Sequence, residues 1–283
     1  MNRVLVSVAL ALGVVSLTWA DDKSADPTKV SLDKVRAAFR AEIDKADQAM
    51  MVAFDKAATT ARQTGDKVVL DRIMSERLAF ELTGALPTWT PPVIQKRLGT
   101  AQRNSEEVYA QAVKAYTKAA QDDKAAAVQK ELIEFRKQPT PVRFFSLINE
   151  KSGLVLAAAK STADRGSGLV QAKDGGEPHQ QWSFIPTNNS EVYLIKNRQS
   201  AHYLNIGGAH RVEVPVTLWS IDAAEHNHWV ITRVGKHFRI RDANGESYLA
   251  PVDASTDENK AVIQAAKGDG DEQVWRLAPV KLE

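Results

Sequence analysis

From Leu32 onward, apolar residues fall at Leu32, Val35, Phe39, Ile43, Ala46, Met50, Ala53, Ala57 and Ala61. Steps of three and four put them on one stripe, which predicts a long, coiled-coil-like amphipathic helix. Gly65 supplies a C-terminal stop and Asp66 an N-cap. The next helix carries Val69, Ile73, Met74, Leu78 and Phe80 and ends near Gly84. Residues 84–92 contain Pro87, Pro91 and Pro92, and proline lacks the amide a helix needs, so this stretch reads as a linker. A second stripe follows at Leu98, Ala101, Ser105, Val108, Ala112, Ala115 and Ala119, and resumes after residues 121–123 at Ala125, Val128, Leu132 and Phe135. Residues 31–137 are therefore expected to form two helical hairpins, packed as one small bundle. Their Ala-rich seams suit close helix packing and carry no motif that speaks of chemistry.

Past the linker at 138–142 the period changes. Short alternating runs are separated by Gly, Asn and Asp clusters, which predicts strands over residues 143–280. Trp182, Trp229 and Trp275 stand 47 and 46 residues apart, each closing a short motif: Gln180-Gln181-Trp182, Asn227-His228-Trp229 and Gln273-Val274-Trp275. A leucine precedes each tryptophan by 26, 25 and 26 residues, at Leu156, Leu204 and Leu249. Opening strands lie about ten residues earlier, at 145–147, 193–195 and 238–240, and third strands between, at 170–172, 216–218 and 263–265. The chain thus holds three copies of a four-strand unit, none of which can bury its apolar face alone.

This repeat resembles the ricin-type β-trefoil lectin family, over about residues 143–280. The resemblance implies an all-β trefoil, so that with the helical hairpins read above the chain is expected to be α+β, built of separate domains. It also implies that the indoles of Trp182, Trp229 and Trp275 fill a shared core while Gln180, Asn227 and Gln273 tie down loop backbone. In the family a repeat can hold a sugar with an acid after the second-strand leucine, an aromatic platform on the third strand and a polar residue before Gln-x-Trp. An aromatic face suits the C–H side of a pyranose, and polar groups suit its hydroxyls. At these positions the first repeat offers Ala157, Lys173 and His179, and the third Ala250, Ala266 and Glu272. The second offers Asn205, Trp219 and His226, with Asp222 close in sequence. That repeat is the expected carbohydrate site. The competing reading makes Trp219 a packing residue and the protein a structural or protein-interaction module whose trefoil has lost sugar binding.

Charge and composition remove several other functions. The 37 basic and 35 acidic residues nearly balance, as they do in each half: 20 against 18 over residues 21–138, and 16 against 17 from Pro139 on. Nucleic acid therefore finds no basic footprint. Cysteine is absent, which excludes thiol catalysis, thiolate–zinc sites and disulfides. The pair His226 and His228 lacks further ligands, so no metal or cofactor is expected. No nucleophile elbow, zinc-protease or phosphate-loop motif occurs, and the chain is expected not to be an enzyme. Arg3 followed by the uncharged Val4–Ala20 has the pattern of a signal peptide cleaved after Ala20. A secreted or periplasmic protein with a short disordered leader at 21–30 would result, free of the membrane once cleaved. The alternative is a retained anchor, although the run is shorter than the ~20 residues of a span. Its expected partner is a glycan or polysaccharide, with the helices serving self-association or surface attachment.

Overall fold

The computed structural model describes residues 26–137, 140–189, 191–200, 202–207, 211–221 and 226–281. The signal segment lies outside them. Four helices come first: α1 (Pro27–Thr64), α2 (Lys67–Thr83), α3 (Pro92–Lys118) and α4 (Asp122–Lys137). The expected leader is corrected at its end, because α1 begins at Pro27. Asp26 explains the earlier start. Its carboxylate accepts from the Thr28 and Lys29 amides, satisfying orphan donors of the first turn, and also pairs with Lys124 of α4. Proline at the first helical position needs no amide.

α1 runs past both hairpins and joins two small cores. At one end Leu32 packs with Tyr109, Ala112, Tyr116, Val128 and Leu132 of α3 and α4. At the other, Met50, Phe54, Ala58 and Ala61 pack with Ile73, Phe80 and Ile94. The buried seam thus passes through Phe54 and Ala58 rather than Ala53 and Ala57, the aromatic ring taking the position facing α2 and Trp89. Arg36 of α1 bridges to Glu131 of α4, which also accepts from Tyr109.

Thirteen strands follow: β1 (Phe145–Asn149), β2 (Val155–Ala158), β3 (Leu169–Ala172), β4 (Trp182–Pro186), β5 (Val192–Asn197), β6 (Tyr203–Asn205), β7 (Val214–Pro215), β8 (Thr217–Trp219), β9 (His228–Val234), β10 (His237–Asp242), β11 (Tyr248–Pro251), β12 (Val262–Ala265) and β13 (Trp275–Pro279). β1, β4, β5, β9, β10 and β13 pair in a closed antiparallel ring. Closure leaves this barrel without a free edge. Hairpins β2–β3, β6–β8 and β11–β12 cover one end. Leu169, Val216 and Val262, all buried, meet where the hairpins converge: the Leu169 amide donates to Val216 and the Val216 amide to Val262. Three short 3-10 turns are the only helical segments among the described residues of this half.

The helices dock on the opposite end of the barrel. Leu82, in the last turn of α2, is 1% exposed and belongs to the trefoil core with Phe145, Phe184, Tyr193, Ile231 and Phe238. Around it Arg143 donates to the Phe80 and Glu81 carbonyls and pairs with Asp47, and Arg233 at the end of β9 pairs with Glu81. Gly84 ends α2 with φ +77°, and a Cβ there would lie 3.1 Å from Thr140, so the linker passes close over this turn. The two halves share a desolvated contact.

Candidate functional site

The repeat motifs act on structure. Trp182, Trp229 and Trp275 are fully buried, and their indole N–H groups donate to the carbonyls of Leu156, Leu204 and Leu249 at 3.0, 3.1 and 2.9 Å. Gln180 accepts from Gly175 and donates to the Lys173 carbonyl; Gln273 does the same with Gly268 and Ala266. Asn227 is shorter and donates instead to the Leu204 carbonyl at 3.3 Å.

The hairpins fix which residues are equivalent on their outer sides. Leu156, Leu204 and Leu249 stand opposite Gln171, Leu218 and Gln264. One residue further, Val155, Tyr203 and Tyr248 stand opposite Ala172, Trp219 and Ala265. The counterparts of Trp219 are therefore Ala172 and Ala265, a correction of one residue from Lys173 and Ala266. The physical reason lies at β8 itself: 216–218 aligns by residue type with 170–172 and 263–265, whereas the buried counterparts of Val216 are Leu169 and Val262. Counting eleven residues back from each tryptophan reaches Gln171, Leu218 and Gln264 without error. The equivalence of Ala157, Asn205 and Ala250 holds.

At Gln171 and Gln264 the amides tie repeats together. Gln171 donates to the carbonyls of Ser255 and Asp257 in the third repeat, and Gln264 to that of Ile206 in the second. Leu218 has no side-chain amide to offer. There the first repeat comes to the second through backbone, with Gly166 donating to the Leu218 carbonyl at 2.7 Å and Leu218 to that of Ser167 at 2.9 Å. Gly166 has φ +83°, and an added Cβ would sit 3.5 Å from the Trp219 ring. This approach places Arg165 over the indole, its guanidinium 4.0 Å from the ring centroid. A surface cation–π contact of this kind contributes about 0.5–1 kcal/mol.

Asn205 stands opposite Thr217, on the face that bears Trp219, since side chains two apart on a strand share a side. It is 3% exposed, and its carbonyl oxygen accepts from the Gly207 amide at 2.6 Å in a local turn. The Ile206 amide donates to the His226 carbonyl at 3.1 Å, which brings the residue before Asn227 beside the end of β6. The second repeat thus carries Asn205 and Trp219 on one face of a hairpin, with the backbone of His226 beside its β6 end. Asp222 lies outside the described residues. Arg165 is the site residue that the sequence concealed, because it comes from another repeat and belongs to no motif. Among the described residues no three His, Asp or Glu side chains cluster as metal ligands, and no helix is long and apolar enough to cross a membrane.

Comparison with known proteins places this half of the chain. Residues 134–219 and 178–265 match the family described as ricin-type beta-trefoil lectin domain-like. No curated protein matches the chain. Among solved structures, the designed threefold-symmetric protein ThreeFoil is 23% identical, with a TM-score of 0.46 over 48% of this chain and 97% of its own. The Rhizoctonia solani agglutinin is 21% identical, with a TM-score of 0.45 over 49% of this chain and 96% of its own. An exo-β-1,3-galactanase from Clostridium thermocellum is 23% identical, with a TM-score of 0.48 over 50% of this chain but only 31% of its own. Three indole-anchored repeats around a closed barrel, together with the family match, make the C-terminal half of this chain a ricin-type β-trefoil lectin-like domain.

Proposed function

We propose that the protein is an exported lectin that binds carbohydrate on the outer face of the β6–β8 hairpin and performs no chemistry on it. The observation that carries this reading is Trp219, the one aromatic among three equivalent outer positions, the others being alanines. A half-buried indole beside a buried amide offers a platform for the C–H face of a sugar and polar atoms at its rim. Arg165 on the ring does not exclude the ligand. Displacing a contact of about 0.5–1 kcal/mol costs less than the roughly 1–3 kcal/mol that stacking on an aromatic ring contributes, taking base stacking as a loose analogue.

A second reading, a trefoil that contacts protein rather than sugar, draws on two observations. Asn205 stands where the family has an acid, so a charge-assisted hydrogen bond is missing, and its oxygen is engaged by Gly207. A glycan array on the mature chain, followed by titration of any hit against Trp219→Ala, separates the two. The lectin reading expects glycan binding that falls about 5- to 150-fold in the variant, with the melting temperature nearly kept. An array without hits, or a variant that binds as well as its parent, would sink it.

A further inference from the structure

Docking of the helices on the barrel leaves two clefts on either side of residues 142–144. The larger, of 590 Å³, is lined by Arg40, Arg143 and Lys281 but also by Asp44, Asp47 and Glu81. Its charges balance. The smaller, of 470 Å³, lies between the end of α2, the linker, β4 and β5, and the contrast is in its charge. Arg143, Lys196 and Arg198 line it, and no carboxylate does.

Arg143 is already committed to Asp47. Lys196 and Arg198 are not: neither forms an ion pair with a described residue. Arg198 is held nonetheless, one nitrogen donating to the Gln181 side chain and its plane 4.9 Å from the Phe144 ring centroid. Both partners are neutral, so the guanidinium is oriented with its charge unspent, and a fork held in place loses less entropy when an oxyanion arrives. Lys196 lies two residues away along β5, its ammonium 5.8 Å from the Tyr203 ring centroid. Ser183 adds a hydroxyl with no hydrogen-bond partner among the described residues, and the rings of Phe144 and Phe184 supply apolar wall. The volume lies within the range of small-molecule pockets, roughly 300–1,000 Å³.

We propose that this interdomain cleft binds a small hydroxylated organic anion, its carboxylate or phosphate head on Lys196 and Arg198 and its body against Ser183 and Phe144. The site exists only where helices and trefoil meet, and Trp219 is not among the residues that line it.

Isothermal titration of the full mature chain carrying Trp219→Ala, which removes the sugar platform proposed above, with glucuronate, glucose 6-phosphate and glucose, at constant ionic strength, tests this. Binding of either acid without binding of glucose is expected, and which acid binds tells a carboxylate site from a phosphate site. The double variant Lys196→Ala/Arg198→Ala should weaken binding at least about tenfold, the order of change expected from losing one charged hydrogen bond. Lys267→Ala, which removes an exposed cation elsewhere, should leave it unchanged. Failure of both acids to bind, equal binding of glucose, or equal loss with Lys267→Ala would each overturn the proposal.

Discussion

Seen from the barrel, the hairpins at Leu156, Leu204 and Leu249 are interchangeable: each leucine is fully buried and each carbonyl accepts an indole N–H. Seen from solvent, the same hairpins present Ala172, Trp219 and Ala265. The inner side is dictated by the shared core, where a changed volume is felt by all three repeats. No such constraint acts outside. Sameness inside therefore reports the fold, and difference outside is where a function can be written.

Trp229→Ala puts the largest strain on that contrast. It empties a fully buried indole site and removes from the Leu204 carbonyl the 3.1 Å bond of the indole N–H. A loss of about 3–5 kcal/mol is expected in denaturant unfolding of the whole chain. Trp219→Ala, on the other side of the same repeat, should cost no more than about 1 kcal/mol, the value of its contact with Arg165. Equal losses from the two would erase the distinction between inner and outer faces.

Leu82→Ala comes next and asks whether the barrel's threefold interior extends to an asymmetric partner. The side chain is 1% exposed among residues of all three repeats, although it belongs to α2. Truncation should cost about 2–5 kcal/mol. Calorimetry should also show the parent unfolding in a single transition that the variant splits, because the anchor between the halves is weakened. A variant as stable and cooperative as its parent would mean that Leu82 merely rests on the barrel.

Sequence alone revealed what repeats. Trp182, Trp229 and Trp275 declared the trefoil because the same core constraint acts three times at nearly constant spacing. The helical stripe declared the bundle for a similar reason, period matching burial. Two kinds of feature escaped. The equivalence of β8 slipped by one because Val216 matches Val170 and Ile263 by type, whereas its buried counterparts are Leu169 and Val262, and a shift of one moves every outer position. Contacts between repeats and between halves, such as Arg165 on Trp219 or Leu82 in the barrel, escaped because each joins segments far apart in sequence. No periodicity encodes them. Asn205 and Trp219 were legible as a pair, whereas the use of the Asn205 oxygen by Gly207 was visible only in the folded turn.

The smallest effect is expected where the interior itself departs from threefold. Phe145, Tyr193 and Phe238 occupy matching positions, opposite Trp182, Trp229 and Trp275. Tyr193 alone carries a hydroxyl, and that hydroxyl is buried with no hydrogen-bond partner among the described residues. Burial pushes its pKa up to about 12, from an ordinary value of 10.0, because a phenolate would be stranded away from water. In the unfolded chain the same group ionises near its ordinary value. Above about pH 10 the unfolded state therefore holds fewer protons than the folded one, and stability falls as pH rises from about 10 to about 12. Tyr193→Phe makes the three positions alike. It should gain about 1 kcal/mol at neutral pH by removing an unsatisfied group, and should flatten this part of the alkaline decline. Urea unfolding at pH 7 and across the alkaline range measures both. A variant less stable than its parent at pH 7 would show that the hydroxyl has a partner, a buried water for example, and that the exception at Tyr193 is stabilising.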